Sequence, residues 1–165
     1  RDPNPVIMLE NEVLYGQTFE GPRDPDVTVP IGKAKVVKEG SDVSIVAFSI
    51  MVGKALEASD LLSNEGIEAE VIDLRTIRPL DVETIITSVK KTNRIVTVEQ
   101  GWPTCGIGAE ISSLVGEEAF DFLDAPVKRV AGVDVPMPYA ANLEKLALPQ
   151  TSDIASAAKA VCYRG

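Results

Sequence analysis

The chain has 165 residues, is 45% apolar and carries a formal net charge of -9, with two cysteines and no histidine. Without imidazole it holds no Ser-His-Asp or Cys-His nucleophile pair and no His-ligated zinc. A chain of this length makes one ordinary domain that buries roughly two thirds of its unfolded surface, so neither metal nor disulfide staples are required for folding.

The surplus of acidic over basic residues repels phosphate backbones, and no basic run carries interleaved aromatics. The sequence therefore does not read as a nucleic-acid binder, and a basic protein surface is the partner expected. Cys105 and Cys162 lie far apart and form neither a CxxC nor a zinc-type spacing, which makes them reduced thiols in a reducing compartment. No apolar run approaches the ~20 residues of a membrane span. The start, Arg1-Asp2-Pro3-Asn4-Pro5, has neither a signal-peptide layout nor an initiator methionine, and reads as an internal or processed piece of a longer chain.

In chain order, residues 6–9 form a short β-like run without a local partner, and residues 21–33, rich in Gly and Pro, have linker composition. From residue 34 onward β-branched runs alternate with helical stretches. Residues 43–48 are almost continuously apolar, as in a strand covered on both faces. A helix is predicted over 53–64, with Ala55, Ala58 and Leu62 on one face and Gly66 placed for a left-handed cap. Strand 69–74 follows. Val82, Ile85, Ile86 and Val89 then mark a helix capped by Asp81, with Pro79 blocking an earlier start. Strand 94–99, a helix running to about Phe120, strand 127–131 and a C-terminal helix opened by Thr151 and Ser152 complete the pattern. Crossovers of this length and helical content imply parallel pairing, hence a three-layer α/β/α domain on a mostly parallel sheet.

Ligands of such sheets bind beyond the carboxyl ends of the strands, which selects the loops at 49–51, 75–78, 99–102 and 132–136. Gly106-Ile107-Gly108 opens a helix after a strand, but Ile111 stands where a dinucleotide fingerprint needs its third glycine, and the segment follows the third strand, not the first. It reads as a glycine-rich helix start with exposed N–H groups. Arg75 and Arg78 could clamp an anion, although pairing with the domain's surplus carboxylates is the commoner use of such residues. Glu99 is a candidate general base, against which a role at a helix start or an interface is favoured. Trp102, beside Pro103, reads as an interface anchor or lid. The turn containing Asp121 and Asp124 is either a solvated acidic turn or a docking patch for a basic partner. The loop 133–139, with Met137 and Tyr139, is rigid, partly apolar and suited to packing on another chain.

Several motifs together resemble a known family. Leu9-Glu10-Asn11-Glu12, Pro30-Ile31-Gly32-Lys33-Ala34, Arg75-Thr76-Ile77-Arg78-Pro79-Leu80-Asp81, Val98-Glu99-Gln100-Gly101-Trp102-Pro103, Gly108-Ala109-Glu110-Ile111, Phe122-Leu123-Asp124-Ala125-Pro126 and Asp134-Val135-Pro136-Met137-Pro138-Tyr139 occur in the order found in the C-terminal half of the beta subunits of pyruvate dehydrogenase first components, mitochondrial type. The resemblance implies a transketolase C-terminal domain at 34–165, with a mixed five-stranded sheet and an antiparallel edge strand for which 33–37 is the candidate. It further implies a linker at 21–33, and at 1–20 the closing strand of a pyrimidine-binding domain otherwise missing.

Such enzymes bind thiamine diphosphate and Mg, which the resemblance places outside this segment. No catalytic, cofactor-binding or metal-binding residue carries over. The implied partners are an alpha subunit, a second beta subunit and the basic subunit-binding domain of dihydrolipoyl acetyltransferase in the mitochondrial matrix. The implied docking residues are Asp124 and Asp121. Arg75, Arg78, Glu99, Trp102, Met137 and Tyr139 are subunit-interface candidates. A branched-chain 2-oxo acid dehydrogenase beta subunit and a stand-alone interaction domain are the alternatives.

Overall fold

The computed structural model describes residues 2–164. Five strands, β1 (Lys35–Lys38), β2 (Val43–Ala47), β3 (Ala69–Asp73), β4 (Ile95–Val98) and β5 (Lys128–Val130), form one sheet in the order β1-β3-β2-β4-β5. The pairs β2–β3, β2–β4 and β4–β5 are parallel, whereas β1 runs antiparallel to β3. The mixed sheet and its antiparallel edge agree with the sequence reading, with β1 displaced toward the C-terminus of the expected 33–37.

Side-chain alternation along the strands sorts the core into two layers. Val43, Ile45 and Ala47 join Val71 and Val96 on the face covered by α1 (Met51–Ser63) and α5 (Thr151–Val161). Val46, Ile72 and Ile95 lie on the other face, against α2 (Val82–Thr92) and α3 (Ile107–Glu118). Every residue of β2 and β4 is buried, which is why these strands read as unbroken apolar runs.

The helix starts and stops follow local chemistry. After α1, Gly66 takes a left-handed conformation (φ 76°). The Gly66 N–H bonds the Ser63 carbonyl and the Ile67 N–H bonds the Leu62 carbonyl, which satisfies the helix end in a Schellman arrangement. The start of α1 lies at Met51, earlier than the expected residue 53, because the buried Met51 side chain extends the apolar stripe of Ala55, Ala58 and Leu62 by one turn.

Asp81 caps α2 as expected. Its carboxylate accepts from the Thr84 N–H (3.3 Å) and hydroxyl (2.9 Å) and from the Ala34 N–H (2.9 Å), so it also ties the chain leading into β1 to α2. Burial alone would raise its pKa, but these hydrogen bonds and Lys33 outweigh it and hold the carboxyl below its ordinary 3.8. A depressed folded pKa contributes stability above the unfolded value that disappears as pH falls through the folded one. Asp81→Ala is therefore expected to lower unfolding free energy by about 1–2 kcal/mol at neutral pH. In urea titrations the difference from the parent chain should shrink below about pH 4; a pH-independent difference would contradict this account.

One expectation is corrected and one element is added. Residues 6–9 form no strand: no other strand reaches them, and Ile7 and Leu9 are exposed. An apolar β-branched run becomes a strand only through pairing. The region before β1 instead contains a 3-10 turn at Glu12–Gly16, and it is tethered to the domain where Asn11 Nδ2 donates to Gln100 Oε1 (3.1 Å). The unforeseen α4 (Ala141–Ala147) is a single short helix before α5. No helix of the described residues is long and apolar enough to cross a membrane.

Candidate functional site

The parallel strands β2 to β5 all point the same way, so the predicted site residues fall at two ends of the sheet. Arg75 and Arg78 follow β3, Glu99 and Trp102 follow β4, and Met137 and Tyr139 follow β5, which places all six at the carboxyl end. Asp121 and Asp124 precede β5 and lie at the amino end, together with Arg94, which precedes β4.

At the carboxyl end, Glu99 is 4% exposed and fully engaged. One carboxylate oxygen accepts from the Ile107 N–H (2.9 Å) and the other from the Gly108 N–H (3.0 Å), so the side chain caps α3 from outside the helix. Arg129 stands 3.7 Å from the same carboxylate, and its guanidinium donates to the Pro103 carbonyl. A negative group at these free N–H groups also opposes the positive pole of the helix.

The two glycines are explained by this cap. A Cβ on Gly106 would lie 2.5 Å from Glu99 Oε1, and one on Gly108 would lie 2.6 Å from Thr97 Oγ1 and 2.8 Å from Glu99 Oε1. Gly-Ile-Gly thus makes room for the protein's own carboxylate, which occupies the place of an external anion. Of the roles weighed for Glu99, the structure shows the one at a helix start.

Trp102 is half-exposed and anchored, its indole N–H donating to the Val135 carbonyl (3.1 Å). This bond joins the loops after β4 and β5 into one ridge on which Met137 is half-exposed and Tyr139 is fully exposed. Arg75 and Arg78 are exposed and make no ion pair among the described residues, so the expected intrachain pairing with surplus carboxylates is not found. The Asp73 carboxylate beside them accepts from the Arg75 main-chain N–H (3.0 Å), not from its guanidinium, and Glu99 is turned inward to α3. Cys105, exposed, and Cys162, half-buried, are both free thiols, and burial pushes the Cys162 thiol up from its ordinary value.

At the amino end, Asp121 sits in an exposed 3-10 turn at Phe120–Phe122, and Asp124 follows it. The turn is fastened from below. Asn93, left-handed at the end of α2 (φ 61°), donates from its side chain to the Phe122 carbonyl (2.9 Å), and its own carbonyl accepts from the Asp124 N–H (2.9 Å). Tyr163, after α5, donates its hydroxyl to the Asp124 carbonyl (2.7 Å). The Asp124 carboxylate is half-exposed and paired with Arg94 at 2.7 Å. Sequence reasoning missed Asn93, Arg94 and Tyr163. The Asn at a helix end offered a local signal, whereas the other two are distant in sequence from Asp124.

Residues 32–154 match the family described as transketolase, C-terminal domain. The chain is 61% identical to the pyruvate dehydrogenase E1 component subunit beta-2, mitochondrial, of Oryza sativa subsp. japonica, over 99% of this chain and 44% of that protein. It is 60% identical to the pyruvate dehydrogenase E1 component subunit beta of Rickettsia felis, over 99% of this chain and 50% of that protein. Among solved structures, a split-gene transketolase described as an inactive beta4 tetramer superposes with a TM-score of 0.75 at 32% identity, over 85% of this chain and 45% of that one. The chain thus spans about half the length of the curated relatives it matches. On the family match and the sheet topology together, the chain belongs to the transketolase C-terminal domain family.

Proposed function

We propose that this chain forms the C-terminal part of the beta subunit of a pyruvate dehydrogenase first component, where it contributes subunit assembly and docking to the acetyltransferase core. The observation that carries this reading is identity of about 60% to such beta subunits across 99% of the chain. Under this reading residues 34–165 are the transketolase C-terminal domain, 21–33 a linker and 1–20 the end of a pyrimidine-binding domain, whose closing segment at 6–9 has no ladder to join within this chain. The plant relatives carry "mitochondrial" in their names, which supports a place in the mitochondrial matrix.

The work divides between the two ends of the sheet. At the carboxyl end, the ridge of Trp102, Met137 and Tyr139, with the unpaired Arg75 and Arg78, suits contact with an alpha or a second beta subunit: aromatic, Met and Arg side chains are enriched at interfaces. At the amino end, Asp121 and Asp124 face the basic subunit-binding domain of dihydrolipoyl acetyltransferase.

Thiamine diphosphate with Mg, the cofactor of the whole enzyme under this reading, does not fit this chain's own residues. The described residues contain no group of three or more Cys, Asp or Glu side chains able to hold a metal. The Glu99 carboxylate is already committed to α3. Under this reading the chain's side chains supply contacts to neighbouring subunits, and the cofactor and reacting groups belong to other parts of the assembled enzyme.

The test is calorimetric titration of the chain with the acetyltransferase subunit-binding domain at low salt. Asp124→Arg is expected to weaken binding at least tenfold, with unfolding free energy changed by less than about 1 kcal/mol because the site is exposed. No binding by the parent chain, or equal binding by the variant, would refute the docking role.

A further inference from the structure

The Asp124 carboxylate does not stand open to a partner. One oxygen, Oδ2, receives Arg94 Nη2 at 2.7 Å, and among the described residues the other oxygen has no hydrogen-bond partner. Arg94 is held in place from several sides. Its second terminal nitrogen, Nη1, donates to the Asp42 carbonyl (3.3 Å), its Nε is buried without an acceptor, and its own carbonyl receives the Ser44 N–H (2.8 Å) where β4 begins. Asp124 is equally fixed, by Asn93 at its N–H and by Tyr163 at its carbonyl.

An exposed ion pair between two mobile side chains is easily exchanged for another partner. This one is between two anchored groups, so an incoming cation meets a carboxylate already half-neutralised, with a like charge beside it that cannot swing away.

We propose that Arg94 is a built-in attenuator of docking: by permanently occupying one oxygen of Asp124, it weakens the attraction of this surface for a basic partner and leaves only the free oxygen to be engaged. The proposal rests on the docking role of Asp124 put forward above. It assigns to Arg94 a positioning role that acts through Asp124 and requires no contact of Arg94 with the partner.

Its consequences are electrostatic, so salt and charge separate them from a merely structural role. In calorimetric titrations of the 165-residue chain with the same basic subunit-binding domain, Arg94→Met is expected to bind about 3–10-fold more tightly than the parent at about 50 mM salt. The gain should vanish near about 0.5 M, where charges are screened within a few ångströms. Arg94→Lys, which keeps the charge, is expected to stay within about twofold of the parent. In the Asp124→Asn background, Arg94→Met should give a smaller gain than in the parent, because only the direct repulsion of the basic partner is then relieved and no carboxylate oxygen is freed.

If Asp124→Asn weakens binding but Arg94→Met binds no tighter than the parent, the attenuator is refuted while the docking role stands. If Asp124→Asn has no effect, the docking role itself is refuted. Thermal unfolding of each variant verifies folding, and Arg94→Gln, which keeps a polar tip for the Asp42 carbonyl, replaces Arg94→Met should the latter unfold, with the same expected tightening and the same refuting result.

Discussion

Truncation of Glu99 to alanine is expected to lower the free energy of unfolding by about 3–5 kcal/mol, the range for removing one partner from a buried charged pair. Three losses combine. The Ile107 and Gly108 N–H groups lose the acceptor they have at the start of α3, the Arg129 guanidinium loses its nearby carboxylate, and the space kept clear by Gly106 and Gly108 becomes a void. Glu99→Gln preserves the volume but offers one acceptor oxygen for two helix N–H groups, so a smaller loss of about 1–3 kcal/mol is expected. Urea denaturation gives both values, and hydrogen exchange should show α3 losing protection first. Equal stability of parent and alanine variant would mean that the α3 start is satisfied by water, which would overturn the account of the glycine pair.

The second large effect is expected at Gly40, between β1 and β2. A Cβ there would overlap the backbone at the Ala69–Glu70 junction and lie 2.6 Å from the Glu68 carbonyl oxygen. That carbonyl is in use, accepting from the Ser41 N–H (3.0 Å) and the Asp42 N–H (2.9 Å), while the Asp42 carboxylate accepts from the Glu68 N–H (2.7 Å). Relief would thus have to come from main chain, not from the far end of a flexible side chain. Gly40→Ala is expected to cost about 3 kcal/mol or more, at the upper end of overpacking effects. The antiparallel β1–β3 edge should open before the rest of the sheet. A variant melting within two degrees of the parent would show that the crossing relaxes at little cost.

The parts of the fold legible in the sequence are those governed by local rules. The β-branched runs at β2, β3 and β4, the stripe of Ile85, Ile86 and Val89, the Asp81 cap and Gly66 each carry their signal within a few residues. What was misread depends on partners remote in sequence. Residues 6–9 have strand-forming side chains but no ladder to join, and the seven-residue α4 is too short for helical periodicity to stand out beside Pro136, Pro138 and Pro149.

The candidate site divides in the same way. The placement of Glu99 at a helix start was foreseeable because a strand, two glycines and a helix follow one another closely. The pairing of Arg94 with Asp124 joins residues thirty apart across the ends of two strands, and no local pattern announces it. The surplus of carboxylates was equally misleading at Arg75 and Arg78. Net charge says nothing about which end of a sheet the acids occupy or what they bond: Asp73 accepts from the main-chain N–H of Arg75, and Glu99 is turned inward to α3.

The opposed placement of the Trp102 ridge and the Asp124 turn has a mechanical consequence. Strands of four or five residues, rising about 3.3 Å per residue, separate the two surfaces by about 15 Å of fully buried, parallel-paired backbone. Such a sheet is a stiff strut. A neighbouring chain gripping one end and a basic module resting on the other would not compete for space, and the load between them would pass along main-chain hydrogen bonds instead of through a hinge.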